Sequence, residues 1–269
     1  MKQGILDPQG PIAAAERLIL INATAIMLVV VVPVIVLTLF FAWRYRASNT
    51  HARYAPDWGY SGQVELVVWS VPAMVVILLA GVGWISAHQL DPAHEIAAAA
   101  APLRVDVVSL DWKWLFIYPD LGVASVDELV LPTNTPVEFT LTSATVMTAF
   151  FIPQLGSQIY TMPRMQSHLN LLASHVGDFA GQAAHFSGDG FSRMRFLVHA
   201  VTPADFARWS GQVRASAAAL DAAAYARLAR PGVLDHPQTL HAVDVNLFDR
   251  ITHGTQGTAD APAAAPRQP

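Results

Sequence analysis

LILINATAIMLVVVVPVIVLTLFFAW, Leu18 to Trp43, contains no charged side chain. As a helix its roughly 26 residues would reach ~39 Å, more than the ~30 Å hydrocarbon core of a bilayer. A second uncharged run, Leu66 to Ser86, is also long enough to cross with little tilt. Each run contains a single proline, Pro33 or Pro72, which membrane helices tolerate better than soluble ones do. A buried hairpin of a soluble protein is the alternative, and two charge-free runs of this length argue against it. The pair predicts a two-span transmembrane α-hairpin over residues 18–87, with a connecting loop at 44–64 and a short segment, 1–17, before it.

Basic residues set the expected orientation. The loop holds Arg44, Arg46 and Arg53, whereas the segment before the first span has only Lys2 and Arg17. By the positive-inside rule the loop is cytoplasmic and both termini lie on the other side, which in a bacterium is the periplasm of the inner membrane. Trp43, Tyr45 and Trp69 sit where interfacial aromatic belts are expected. Met1-Lys-Gln-Gly4 does not read as a cleavable signal peptide, so either the first span directs insertion or the start is trimmed.

Composition agrees with a membrane protein. It is 53% hydrophobic and 13% charged, with a mean hydropathy of +0.37. The net charge of -4 gives no basic surface for nucleic acid, which is excluded as a partner. There is no cysteine, so no disulfide can staple the exported part.

Beyond the spans, residues 88–102 read as a linker that ends in an alanine run and Pro102. From Leu103 the pattern alternates, with Arg104, Asp106 and Val108 on one strand face and Val105, Val107 and Ser109 on the other. Trp112 to Tyr118 reads as an aromatic strand. Val137, Phe139 and Leu141 alternate with Glu138, Thr140 and Thr142 as a half-buried one. Further short strands are expected at Phe150 to Ile152, Ile159 to Met162, His168 to Ala173 and Arg195 to Ala200. Such strands, closely broken by Pro, Gly and Asn, predict an all-β Greek-key sandwich over 103–202. Thr202-Pro203-Ala204-Asp205 then opens a C-terminal helical extension, 203–253, whose alanine-rich stretch to Arg230 is expected as one or two surface helices. The Ala/Pro/Gly/Gln tail, 254–269, is expected to be disordered.

Several strings carry a family resemblance in combination. Gln63-Val-Glu-Leu-Val-Val-Trp-Ser-Val-Pro72 looks like an entry to a second span. Asp111-Trp-Lys-Trp114, Phe150-Phe-Ile-Pro-Gln-Leu-Gly156 and Gly181-Gln182 look like an aromatic strand and two metal-loop flanks. Over roughly residues 10 to 203 the chain resembles subunit II of the haem–copper respiratory oxidases, with a cupredoxin-like domain following the hairpin. In the cytochrome c oxidases of that family two bridging thiolates hold a dinuclear copper centre, and soft sulfur is what suits that metal. The former ligand positions here read Thr148, Ala183, His185, Ser187, Phe191 and Met194, and one thioether cannot hold copper alone. Trp112 to Pro119 and Leu155 to Tyr160 look more like the ubiquinol oxidase branch, the bo-type cytochromes.

That resemblance implies no cofactor on this chain and haems and copper on subunit I. It also implies subunit I, smaller membrane subunits and the lipid bilayer as partners, with ubiquinol reaching the complex rather than this chain. Glu65 matches a glutamate near the mouth of a K-type proton pathway, where it would act as an accessory entry. The alternative is a solvated acid favoured by the helix dipole. Trp112 and Trp114 are expected to pack at the interface with subunit I, and no catalytic residue is assigned. His236 and His241 could form half of a zinc site, with loop histidines as the other reading. Tyr160, Met162 and Met165 fit either a docking patch or the core.

The expected function is therefore a non-catalytic subunit of a proton-pumping ubiquinol oxidase that reduces oxygen to water. A membrane-tethered, metal-free binding module outside any oxidase is the alternative. A subunit that accepts electrons from cytochrome c is a third reading, and the missing thiolates oppose it.

Overall fold

The structure, a computed structural model, describes residues 4–53, 55–215 and 218–254. They fall into two compact units, one of residues 15–91 and one joining the N-terminal residues up to Ala14 with those from Pro92 onward. The expected tail lies, beyond Gly254, outside the described residues.

Two long helices, α1 (Pro11–Arg44) and α2 (Gly62–Gln89), carry both uncharged runs. Mean hydropathy reaches 3.0 in α1 and 2.4 in α2, yet neither apolar stretch is buried within the chain. A helix apolar on every side needs hydrocarbon around it, and a bilayer supplies that. The hydroxyls of Thr24 and Thr38 donate to the carbonyls of Leu20 and Val34, each at 2.7 Å, so neither enters the lipid unpaired. α1 begins at Pro11 rather than near Leu18, and its first turn, up to Ala14, belongs to the second of the two units.

That unit is a two-sheet sandwich. Its strands are β1 (Leu103–Leu110), β2 (Lys113–Tyr118), β3 (Val123–Val126), β4 (Glu128–Pro132), β5 (Val137–Ser143), β6 (Thr148–Phe151), β7 (Ile159–Thr161), β8 (Ser167–Leu171), β9 (Gly177–Ala183), β10 (Arg195–Val201) and β11 (Gln238–His241). One sheet runs β11-β3-β2-β1-β5-β8, the other β4-β10-β9-β6-β7. β1 lies parallel to β5, and β4 parallel to β10, with the remaining pairs antiparallel. The chain changes sheets between β3 and β4 through Asp127, whose φ is 57°. Aromatic rings fill the space between the sheets: Phe150 stacks on Phe196 at 5.2 Å, and Trp114 meets Phe150 edge-on at 5.3 Å.

The six-stranded sheet is buried on both faces. Val107 and Val108 are neighbours on opposite faces of β1, and both are fully buried. Alternation predicts an exposed Val108. Instead the C-terminal extension covers that face, packing Leu228, Leu240 and Phe248 against Val108, Leu115 and Ile117. The extension holds α3 (Pro203–Arg214), α4 (Ala222–Leu228) and α5 (Leu247–His253), with β11 added to the edge strand β3. α4 and α5 therefore build a second core, whereas α3 is largely exposed and sets Val213, Phe206 and Trp209 against the core between the sheets. Capping agrees with the sequence: the Thr202 hydroxyl accepts the Asp205 N–H, and Asp221 accepts the Ala224 N–H.

Residues 7–14 form a strap on the sandwich. Gln9 N–H donates to the Gln154 carbonyl at 2.7 Å, Ser174 N–H to the Gln9 carbonyl at 2.8 Å, and Ala13 N–H to the Leu155 carbonyl at 3.2 Å. Gly10 leaves no room for a Cβ beneath the Leu172 carbonyl. On the far side of the hairpin, Pro92 accepts the Asn170 N–H at 2.9 Å. The segments flanking the two spans are thus fastened to one body.

Candidate functional site

The loop between β9 and β10 brings the former ligand positions together, and hydrogen bonds of the protein itself close it. Ala183 ends β9 and Met194 precedes β10, with Ala183 N–H donating to the Met194 carbonyl at 3.0 Å. Thr148, at the start of β6, donates its hydroxyl to the His185 carbonyl at 3.0 Å. Ala184 N–H donates to the Ala149 carbonyl at 2.9 Å. The Ser187 hydroxyl points at the Met194 sulfur at 3.7 Å. Phe191 meets Phe186 edge-on at 5.7 Å, and His185 meets Tyr160 edge-on at 5.9 Å.

Trp112 locks this loop from the side. It sits in the β1–β2 turn at φ 65°, and its indole N–H donates to the Ser187 carbonyl at 3.1 Å. The ring lies so close to Gly190 that a Cβ there would fall inside it. Sequence reasoning places Trp112 at a subunit interface; within the chain its half-buried ring holds the loop. The signal that could have shown this is Gly188-Asp189-Gly190, two glycines that allow a large ring to approach backbone.

Trp114 departs from the expected interface position. It is fully buried between the sheets, so its ring has no surface left for a neighbouring subunit. Its backbone N–H donates to Asp127 Oδ1 at 2.8 Å, tying β2 to the crossing point between the sheets. Tyr160 and Met165 lie on the surface rather than in the core, at 45% and 54% exposure.

A dinuclear copper centre does not fit these residues. The sequence offers no thiolate, and Thr148, Ala183, Ser187 and Phe191 bring no soft donor or imidazole. Among the described residues no three His, Cys, Asp or Glu side chains cluster as metal ligands. His241 directs Nδ1 at the Ala218 carbonyl, 2.7 Å away, and lies on β11.

Glu65 occupies the first turn of α2 and is exposed. Its N–H donates to the Ser61 carbonyl at 2.9 Å, and among the described residues its carboxylate makes no ion pair.

Residues 119–201 match the family described as cytochrome c oxidase subunit II, periplasmic domain. The chain is similar to cytochrome bo(3) ubiquinol oxidase subunit 2 of Pseudomonas aeruginosa, 45% identical over 261 residues that span 97% of this chain and 79% of that one. It is similar to ubiquinol oxidase subunit 2 of Acetobacter aceti, 47% identical over 92% of this chain and 81% of that one. Among solved structures, the periplasmic domain of subunit II of cytochrome oxidase of Bradyrhizobium japonicum is 26% identical over 44% of this chain and 96% of that one, with a TM-score of 0.41.

Proposed function

The chain belongs to the subunit II family of cytochrome bo-type ubiquinol oxidases, and from that premise we propose that it braces such an oxidase without carrying electrons itself. The supporting observation is the hydrogen-bonded closure of the 184–194 loop, held by Trp112, Thr148 and Ser187 where relatives with copper need sulfur and imidazole. Electrons then pass from ubiquinol directly to the haems of subunit I, which also holds the copper of the oxygen-reducing site.

In the inner membrane the hairpin packs beside subunit I and the smaller membrane subunits. The sandwich and both termini face the periplasm, and loop 44–64 faces the cytoplasm with its arginines. Both segments that flank the spans are fastened to the sandwich, which supports an even number of crossings. Glu65 then sits on the cytoplasmic side, where its exposed carboxylate collects protons for a pathway into subunit I.

The test is to tag the chain, solubilise native membranes gently and purify what accompanies it. Oxygen uptake is then measured with ubiquinol and, separately, with reduced cytochrome c. Uptake with ubiquinol alone is expected. Turnover with cytochrome c would overturn the electron-free role, and a preparation without haem would favour a tethered binding module.

A further inference from the structure

Lys113 starts β2, yet its side chain points away from the sandwich core and is almost entirely buried, at 4% exposure. Its ammonium donates to two neutral acceptors, the carbonyls of Arg230 at 2.7 Å and Gly232 at 2.9 Å. An ammonium has three N–H donors, so those bonds leave one. Among the described residues no carboxylate comes within ion-pair distance of it. Asp127 and Asp111 favour the charge only from beyond that distance, and burial outweighs them, pulling the Lys113 ammonium below its ordinary range.

The same residue lines a cavity of about 610 Å³ between α4, β11 and the loop that follows α4. That volume falls within the range of small-molecule sites. Leu228, Leu234 and Leu240 supply apolar wall, while Arg227 adds a second cation and Asp221 the lone carboxylate. One oxygen of Asp221 is already engaged by the Ala224 N–H. The balance of charge in the lining is positive.

We propose that this cavity binds a small organic anion, a carboxylate on an apolar body, with Lys113 as its charge partner. The carboxylate would take the remaining ammonium N–H and supply a counter-charge in direct contact. The apolar body would lie against the leucines. Such a site would make the C-terminal extension a ligand-responsive element on the outer face of the six-stranded sheet.

The test uses the full chain, purified with the partners that accompany it, and 4-fluorobenzoate observed by fluorine NMR. Saturable broadening by the protein is expected, with 4-fluorobenzyl alcohol binding about tenfold more weakly or worse, the margin of one charge-assisted hydrogen bond. Ala219→Leu, which narrows the cavity from its lining and leaves the lysine in place, should weaken the broadening at an unchanged melting temperature. Lys113→Met should lose benzoate binding and keep alcohol binding. Equal binding of acid and alcohol would overturn the proposal, as would full benzoate binding by Ala219→Leu. If Lys113→Met fails to assemble, the Ala219→Leu variant and the alcohol comparison decide.

Discussion

Trp112 and Gly190 are in van der Waals contact across the mouth of the sandwich, indole against bare backbone, and the contact joins the β1–β2 turn to the loop between β9 and β10. The neighbouring bond from the indole N–H to the Ser187 carbonyl fixes the ring's rotation. Gly190 itself has an unstrained backbone, at φ -89° and ψ 0°. Only the ring forbids a side chain there.

Replacing Gly190 with alanine should therefore destabilise the domain by roughly 1–3 kcal/mol, the usual cost of overpacking. Trp112→Ala in the same chain should remove most of that extra cost. A thermal-melting cycle over the single and double variants measures it, and strictly additive losses would contradict the contact.

Trp112→Ala alone should free the loop. The lost burial and hydrogen bond together amount to about 2–4 kcal/mol. Limited proteolysis should then cut between Ala184 and Arg193 first, at protease levels that leave the parent chain whole. Trp112→Phe keeps ring mass but loses the bond to Ser187, so it should fall between the two.

Asp106 predicts a pH dependence. Burial, with a smaller contribution from the Asp249 charge, pushes its carboxyl from an ordinary 3.8 to about 6. The folded state therefore holds this proton more tightly than the unfolded chain does. The resulting stabilisation is complete below the ordinary value and disappears as pH rises through the folded one. After discounting for solvent screening, about 1–2 kcal/mol is at stake. Asp106→Asn should melt higher than the parent at pH 7.5, and the gap should narrow by pH 5.

Glu65→Gln should slow ubiquinol-driven oxygen uptake severalfold in a complex whose subunit and haem content are unchanged. Glu65→Asp, which keeps the carboxylate, should recover much of the rate. Full activity in the glutamine variant would leave Glu65 a solvated helix-start acid.

The spans and strand β5 were legible in the sequence because each is a simple repeat: unbroken apolar residues, or apolar and polar in strict alternation. β3, β4, β9 and β11 were not. β3 and β4 are separated by Asp127 alone, too little to mark two strands in two sheets. β9 carries Gly177 and Gly181, which read as loop, and Gly181 is there because Phe196 occupies the space of its side chain. β11 is polar and depends on pairing with β3. At the site, the absent sulfurs could be seen directly, but the purpose of Trp112 could not. Its contact with Ser187 spans 75 residues of chain and exists only once the sandwich has closed.

The strap makes the order of synthesis matter. The Asp7 carbonyl and Gln154 side chain that meet at its end are 147 residues apart in the chain, with both spans between them. At ribosomal speeds of about 5–20 residues per second, the first segment waits roughly 7–30 s for its partner. It can meet that partner only if the hairpin has returned the chain to the compartment it left. A molecule that threads one span and misses the other leaves strap and sandwich on opposite sides of the bilayer. Seating of the strap, through the backbone hydrogen bonds of Gln9 and Ala13, therefore comes only after the sandwich strands it binds have been made.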